Sequence, residues 1–475
     1  MSEYKPVIGI EVHVEVKTNT KLFSNSLNSY GSLANSLINE VDLGYPGTLP
    51  TVNEEVIKQA IKACHVLNCS IRKKMHFDRK NYFYPDNSKN YQITQSRTPI
   101  GYDGYLEIND NGKTKKIFIE EMHIEEDTCK SVHRKDKTLL DFNRSGIPLI
   151  EIVTKPCISN SKEAKLYLEK LKEVLLYANV SDCKMEEGSL RADANVSISK
   201  NDKLGTKIEI KNIGSITNVG LAIDKEIKRQ EKLLDKGIKL KEETRRYDDK
   251  IGDTILMRVK ETGNDYRYFP DADIPFIELT DNYINDIINS IPKLPDELRI
   301  IYKDLGLNDI NINKLLLNRD LNNFFLNLID KKTNHQKCAN LLLGDISYYL
   351  NKNDITLNDT TLSTNRLIEV VDYLDKGILI NKNIKDILDK ILETDKLISD
   401  IIKEENINNN DNVEEIKLII KEIINNNLNA VEDYKNGHDR AIKYFMGQIM
   451  KQTKGKINPE IANKLLIEEL LIFIS

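Results

Sequence analysis

At 475 residues the chain is too long for a single hydrophobic core, and about two to four domains are expected. A charged fraction of 30% with a net charge of −5 speaks against a protein that coats nucleic acid generically, while leaving room for a local basic patch. No stretch approaches the ~20 apolar residues of a bilayer span, MSEYK does not read as a signal peptide, and the six cysteines are scattered without a CxxC pair, so a cytoplasmic protein with reduced thiols is expected.

Residues 6–17 (PVIGIEVHVEVK) alternate as a strand, with Ile8, Ile10, Val12, Val14 and Val16 on one face and Glu11, His13 and Glu15 on the other. Same-face neighbours on a strand are roughly 6–7 Å apart, so Glu11 and His13 can aim at one pocket. Gly- and Pro-rich LGYPGTLPTVN (43–53) then makes a turn before a helix over 54–67. Residues 77–95 (FDRKNYFYPDNSKNYQITQ) mix aromatics with Arg79 and Lys80, a composition that suits either base stacking with phosphate contacts or an aromatic core with a charged rim.

In 116–126 the alternation puts Ile117, Ile119, Glu121, His123 and Glu125 on one face and Phe118, Met122 and Ile124 on the other. Residues 147–153 (IPLIEIV) are nearly all apolar and read as a buried strand, yet Glu151 stands among them. Burying a lone carboxylate costs several kcal/mol by rough estimate, so Glu151 should be protonated, paired or bound to a cation. One imidazole among several carboxylates suits Mg²⁺ or Mn²⁺ better than structural Zn²⁺; a solvated polar strand face is the plainer alternative.

A helix over 161–177 is expected to be capped by Ser159 or Ser161. In LRADANVSIS, Arg191, Asp193 and Asn195 alternate with apolar residues, and KIEIKN at 207–212 repeats the pattern with Glu209 and Lys211, so the two should pair as antiparallel neighbours. A helix over 215–237 follows, and then a segment with Arg245, Arg246, Arg258, Lys260 and Arg267. Cations beside a carboxylate-held metal are what phosphoryl transfer requires, because its transition state spreads negative charge over several oxygens. Beyond residue 273 the pattern is amphipathic helices, an Asn-rich linker at 406–412, and a last helical unit with a basic helix and turn carrying Arg440, Lys443, Lys451, Lys454 and Lys456. The sequence contains no P-loop, no GxGxxG, no GxSxG and no amidase signature.

IGIEVHVEV, YPGTLPTVN, FDRKNYFYPD, MHIEED, NRSGIPLIEIV, KMEEGSLRADANVSI, KIEIKN, ETRRYD, DYRYFPDADIP and GQIMKQTKGKINP occur in order over nearly the whole chain, which resembles the B-subunit family of the aspartyl/glutamyl-tRNA amidotransferases. The resemblance implies an α+β protein: a cradle-shaped catalytic domain (1–294) with antiparallel sheets, likened at fold level to glutamine synthetase, then an all-α helical domain (295–405) and a YqeY-like tRNA-binding tail (406–475). It implies ATP-dependent phosphorylation of the side-chain carboxylate of Glu-tRNA(Gln) or Asp-tRNA(Asn). Amidation follows with ammonia from a separate amidase (glutaminase) subunit, clamped to this one by a small third subunit. Carried over by motif, the Mg²⁺ ligands are His13, Glu125 or Glu126, and Glu151, with Glu11 adjacent. Glu11, Glu125, Glu126, Arg191 and Asp193 are the expected catalytic residues, and Asn195, Glu209, Lys211 and Arg258 the expected ATP contacts. The face carrying Arg191 to Lys211 is expected to form a floor opposite the metal. Some members hold zinc through N-terminal cysteines; FSNSLNS and EVDLGYPG lack them, so no zinc is expected. A tRNA-binding adaptor without chemistry and a stand-alone ammonia-using ligase are the competing readings.

Overall fold

The computed structural model describes residues 3–201, 203–259, 266–405, 407, 413–435, 440–453 and 459–474. The chain divides into two compact units, Met1–Pro295 and Asp296–Ser475. The first holds β1 (Lys5–Glu15), β2 (Ser70–Ile71), β3 (Lys74–Met75), β4 (Asp78–Asn81), β5 (Tyr91–Thr94), β6 (Gly101–Asp110), β7 (Lys113–Glu126), β8 (Lys130–His133), β9 (Thr138–Asp141), β10 (Pro148–Thr154), β11 (Leu190–Ser199), β12 (Ile208–Lys211), β13 (Glu243–Asp248), β14 (Asp253–Val259), β15 (Phe269–Pro270) and β16 (Ile277–Glu278). Its helices are α1 (Glu54–Val66), α2 (Ser161–Tyr177), α3 (Ile216–Asp235) and α4 (Asp281–Asn289).

Nine strands form one sheet in the order β14-β13-β12-β11-β1-β10-β7-β6-β2, so β1, the strand with the cleanest alternation in the sequence, lies at its centre. Ile8, Ile10, Val12 and Val14 of β1, Ala192, Ala194 and Val196 of β11, and Ile150 and Ile152 of β10 are buried on the face that α2 and α3 help to cover. The opposite face keeps the polar half of each strand, as an antiparallel sheet with one covered side does.

The expectation of antiparallel sheets needs one correction. β11 and β12 do pair antiparallel, but β12 and β13 run parallel. The reason is α3: a helix between two strands carries the chain back across the sheet, so the second strand enters in the same direction as the first. At α2 the cap is Asn160, whose Oδ1 accepts from the Glu163 backbone N at 2.9 Å, and neither flanking serine takes that role.

β7 departs from strict alternation. Ile117 and Ile119 are fully buried in the same core as Met122 and Ile124, while Phe118 is exposed. The ladder between β10 and β7 shifts register at Val153/Thr154, adding one residue to β7 near Glu120, and Asp103 of neighbouring β6 takes a φ of +48° there. A bulge inserts one residue and so flips every later side chain to the other face. His123 and Glu125 therefore share the polar face, but Ile117 and Ile119 do not join them.

Among the described residues the second unit has no strand: α5 (Pro295–Asp304), α6 (Asp309–Leu317), α7 (Arg319–Leu326), α8 (His335–Leu341), α9 (Ser347–Asn353), α10 (Thr364–Asp375), α11 (Asn381–Glu393), α12 (Ile398–Glu404), α13 (Val413–Asn425), α14 (Leu428–Lys435), α15 (Arg440–Gln452) and α16 (Pro459–Ile474). The last four pack around their own core, which includes Ile420, Phe445, Ile449 and Leu466. Among the described residues no helix is long and apolar enough to cross a membrane.

Candidate active site

The ladders carry the polar residues of neighbouring strands into adjacent positions. His13 of β1 stands opposite Arg191 of β11 on one side and Glu151 of β10 on the other, and Glu151 in turn stands opposite His123 of β7. Two residues along β1, on the same face, Glu11 stands opposite Asp193. His13 Nε2 lies 3.8 Å from Glu11 Oε1, 3.5 Å from Glu125 Oε1 and 3.6 Å from Glu151 Oε2. Ligand atoms of Glu11, His13 and Glu151 lie within 4.8 Å of one another, as do those of His123, Glu125 and Glu151.

Electrostatics separates the three carboxylates. Burial first, then the charge of Glu151, pushes Glu11 up to about 7, and the same two causes raise Glu125. Burial would raise Glu151 as well, but His123 at 2.8 Å, and after it His13 and Lys80, hold it far below the ordinary carboxylate range. The partner effect appears at His123: burial would lower it, but Glu151, then Glu125 and Glu121, raise it to about 9. The two groups share Glu151, and each offers carboxylate oxygens and an imidazole nitrogen, a donor set suited to a hard divalent ion. His123 Nε2 pairs with Glu151 Oε2 at 2.8 Å and, with Glu125 and Glu151, makes up the second of the two groups.

Beside this cluster lies the second polar patch. Lys211 Nζ is 2.8 Å from Asp193 Oδ2 and 3.3 Å from Glu209 Oε1, and Glu209 accepts from Thr244 Oγ1 at 2.9 Å. Asn195 stands opposite Glu209 in the β11–β12 ladder. Burial would lower Lys211, but Asp193 and Glu209 raise it, so it remains an ammonium. This patch lies alongside the acids on the same sheet face, which corrects the expectation of a floor opposite the metal. Arg191 reaches Asp127 Oδ2 at 3.1 Å, and Arg144 Nε reaches the same oxygen at 3.0 Å. Burial alone would raise Asp127; the two guanidiniums, Arg191 first, bring it below its ordinary value. Glu15, Tyr30, Arg144 and Arg191 line a cleft of about 580 Å³ next to the His13 row.

Two expected residues are not brought to the cluster. Glu126, the last residue of β7, turns away from it: its Oε1 pairs with Lys89 and accepts from the Ile93 backbone N at 2.9 Å, as the alternation after Glu125 requires. Arg258 lies exposed on the outermost strand, β14, opposite Thr244. Conversely, Gln92, Asp127 and Arg144 stand at or beside the site without having been expected there, and so do His123 and Lys80, which the strand face and the aromatic segment single out in the sequence without a named role at the site. His123 had a signal, since it shares a strand face with Glu125. In the second unit Arg440, Lys443 and Lys451 are exposed on α15, whereas Lys454 and Lys456 lie outside the described residues.

A family model described as the GatB/GatE catalytic domain matches residues 6–285, and one described as the GatB domain matches residues 323–470. The B subunit of the aspartyl/glutamyl-tRNA(Asn/Gln) amidotransferase of Mycoplasma capricolum is 46% identical over 475 residues, 99% of both chains. The chains of the same name from Limosilactobacillus reuteri and Bacillus mycoides are 45% and 44% identical, each covering 98% of this chain. The chain belongs to the GatB family. Every residue of the acid cluster falls within the GatB/GatE catalytic match, and α15 falls within the GatB domain match. As a GatB-family member it is a subunit of an amidotransferase, a ligase that forms carbon–nitrogen bonds, and the family's chemistry uses ATP.

Proposed function

We propose that the first unit activates the side-chain carboxylate of Glu-tRNA(Gln) or Asp-tRNA(Asn) by phosphorylation from ATP and then lets ammonia displace the phosphate. The ammonia comes from an amidase subunit held by a small third subunit, in a cytoplasmic complex. The observation that carries this reading is the convergence of Glu11, His13, Glu125 and Glu151 on the open face of the central sheet, with His13 Nε2 within 3.8 Å of all three acids. These four would hold Mg²⁺, which when bound supplies positive charge to the phosphate oxygens. His123 keeps Glu151 ionised and fixed in direction. Arg191, aimed by Asp127, and Lys211, held by Asp193 and Glu209, present cations to the anionic substrates from the neighbouring strands. Asn195 adds an amide beside Glu209.

The face of the sheet that bears these groups is read as the cradle of the family, and its likeness to glutamine synthetase is an analogy of chemistry and fold. The helical region is read as a helical domain to residue 405 and a YqeY-like tail from 406, whose basic helix α15 contacts tRNA. Zinc has no place in this reading. At FSNSLNS and EVDLGYPG, Asp42 accepts from Ser24 Oγ at 2.7 Å and Ser26 Oγ at 2.6 Å, and Lys21 Nζ stands 3.1 Å from it, where a second cation would be repelled. In the assembled enzyme His13→Ala and Glu151→Gln should abolish ATP-dependent amidation while glutamine hydrolysis remains measurable. Wild-type amidation by either variant at saturating Mg²⁺ would contradict the assignment.

A further inference from the structure

Lys80 enters the site from outside the main sheet. β4 and β5 pair antiparallel with Lys80 directly opposite Gln92, and residues opposite each other in a ladder share a face with their Cβ atoms about 5 Å apart. Gln92 Nε2 donates to Glu125 Oε2 at 3.1 Å and to the Glu126 carbonyl at 2.6 Å, so the face that Lys80 shares is the one against the acid cluster. A third strand completes the mount. β15 pairs with β4, the Asn81 backbone N donates to the Tyr266 carbonyl at 3.0 Å, and Asn81 Nδ2 donates to the Arg267 carbonyl at 2.9 Å. The Tyr266 ring thereby comes within 5.1 Å of Lys80 Nζ, with Tyr82 and Tyr268 edge-on to it at 6.4 and 5.9 Å.

The ammonium is held by an aromatic face, and among the described residues no carboxylate oxygen lies within 4.0 Å of it. Burial alone would lower its pKa; Glu125, then Tyr268 and Glu151, turn the shift upward, so the group is charged at neutral pH. A half-buried cation next to acids, yet bonded to none of them, is preorganised for an anion that arrives later.

We infer that Lys80 is a catalytic residue of the phosphoryl-transfer step, its Nζ contacting the oxygens of the transferring group beside Glu125. This rests on the proposed site for carboxylate activation. In that step a carboxylate oxygen of the substrate attacks the γ-phosphorus, the bond from phosphorus to the β–γ bridging oxygen breaks, and its electron pair leaves on ADP. No proton moves, and Lys80 keeps all of its own. Its charge answers the negative charge spread over the equatorial oxygens, which would otherwise face an acidic floor.

The test uses the assembled amidotransferase with Lys80→Met, Lys80→Gln and Lys80→Arg. The measurements are kcat and KM for ATP and for mischarged tRNA, glutamine hydrolysis, and the rise in Tm on adding Mg²⁺ alone. The neutral variants should lower kcat for amidation on the order of 10²-fold without a comparable rise in either KM. Arginine should recover part of the loss, and glutamine hydrolysis and the Mg²⁺ shift should stay as in wild type. Unchanged kcat in the neutral variants would overturn the assignment. So would a loss of kcat accompanied by loss of the Mg²⁺ shift, because Lys80 would then be only a support for the acid cluster. If His13→Ala and Glu151→Gln abolish amidation while Lys80→Met does not, the Lys80 inference alone fails; if all three leave it intact, the active-site reading fails with it.

Discussion

Glu151 sits between Ile150 and Ile152, both fully buried, and the desolvation this imposes on a carboxylate is offset by His123 at 2.8 Å. A second buried ion pair makes the same point away from the chemistry. Lys21 is 0% exposed and Asp42 2%, and Asp42 also gathers Ser24, Ser26 and the Asn39 backbone N at 3.1 Å. Removing one partner leaves an uncompensated buried charge, so Asp42→Ala should destabilise the first unit by about 3–5 kcal/mol, and Lys21→Met together with Asp42→Leu by much less. Denaturant unfolding of the variants checks this; a single variant within about 1 kcal/mol of wild type would contradict it. At this scale the shared polar face of Glu11 and His13 is legible from period two, and Glu151 from its place in an otherwise apolar run, whereas the choice between Glu125 and Glu126 needs the fold. Lys80 is not, since its aim depends on β15, a strand far along the chain that pairs with β4.

At the scale of elements, alternation predicts faces correctly up to the point where a strand gains a residue. The bulge in β7 moves Ile117 and Ile119 to the core, and nothing in KKIFIEEMHIEE marks the extra residue, because Glu120 and Glu121 are equally polar. The parallel entry of β13 is also hidden: ETRRYD fits either direction, and only the placement of α3 decides. The basic helix is readable, since Ala441, Phe445 and Ile449 are buried at helical spacing and Arg440, Lys443 and Lys451 are exposed. Because α13 to α16 share their own core, cutting the chain after residue 405 should remove them as a unit. The truncated enzyme should show a raised KM for mischarged tRNA and a log–log salt slope flatter by roughly one for each lost phosphate contact. Unchanged tRNA affinity and slope would count against a tRNA-binding tail.

Over the whole molecule, a unit of sheet and helices carries the acid cluster and a purely helical unit, among the described residues, carries the basic helix, and both match GatB-family models. The proposed division of chemistry and tRNA contact between them follows from charge: an acidic floor suits the metal ion through which a triphosphate is held, whereas an exposed cationic helix suits a phosphate backbone. Phosphoryl transfer at the Glu151 cluster underlies both the proposed function and the role of Lys80. Its most direct test is single-turnover transfer of the γ-phosphate from ATP to the aminoacyl side chain of mischarged tRNA with ammonia withheld. Wild-type and Glu151→Gln enzymes are compared, each with Mg²⁺ and after chelation. An acyl phosphate is expected only in the wild type with Mg²⁺; formation at the wild-type rate by Glu151→Gln, or by the chelated enzyme, would contradict the assignment.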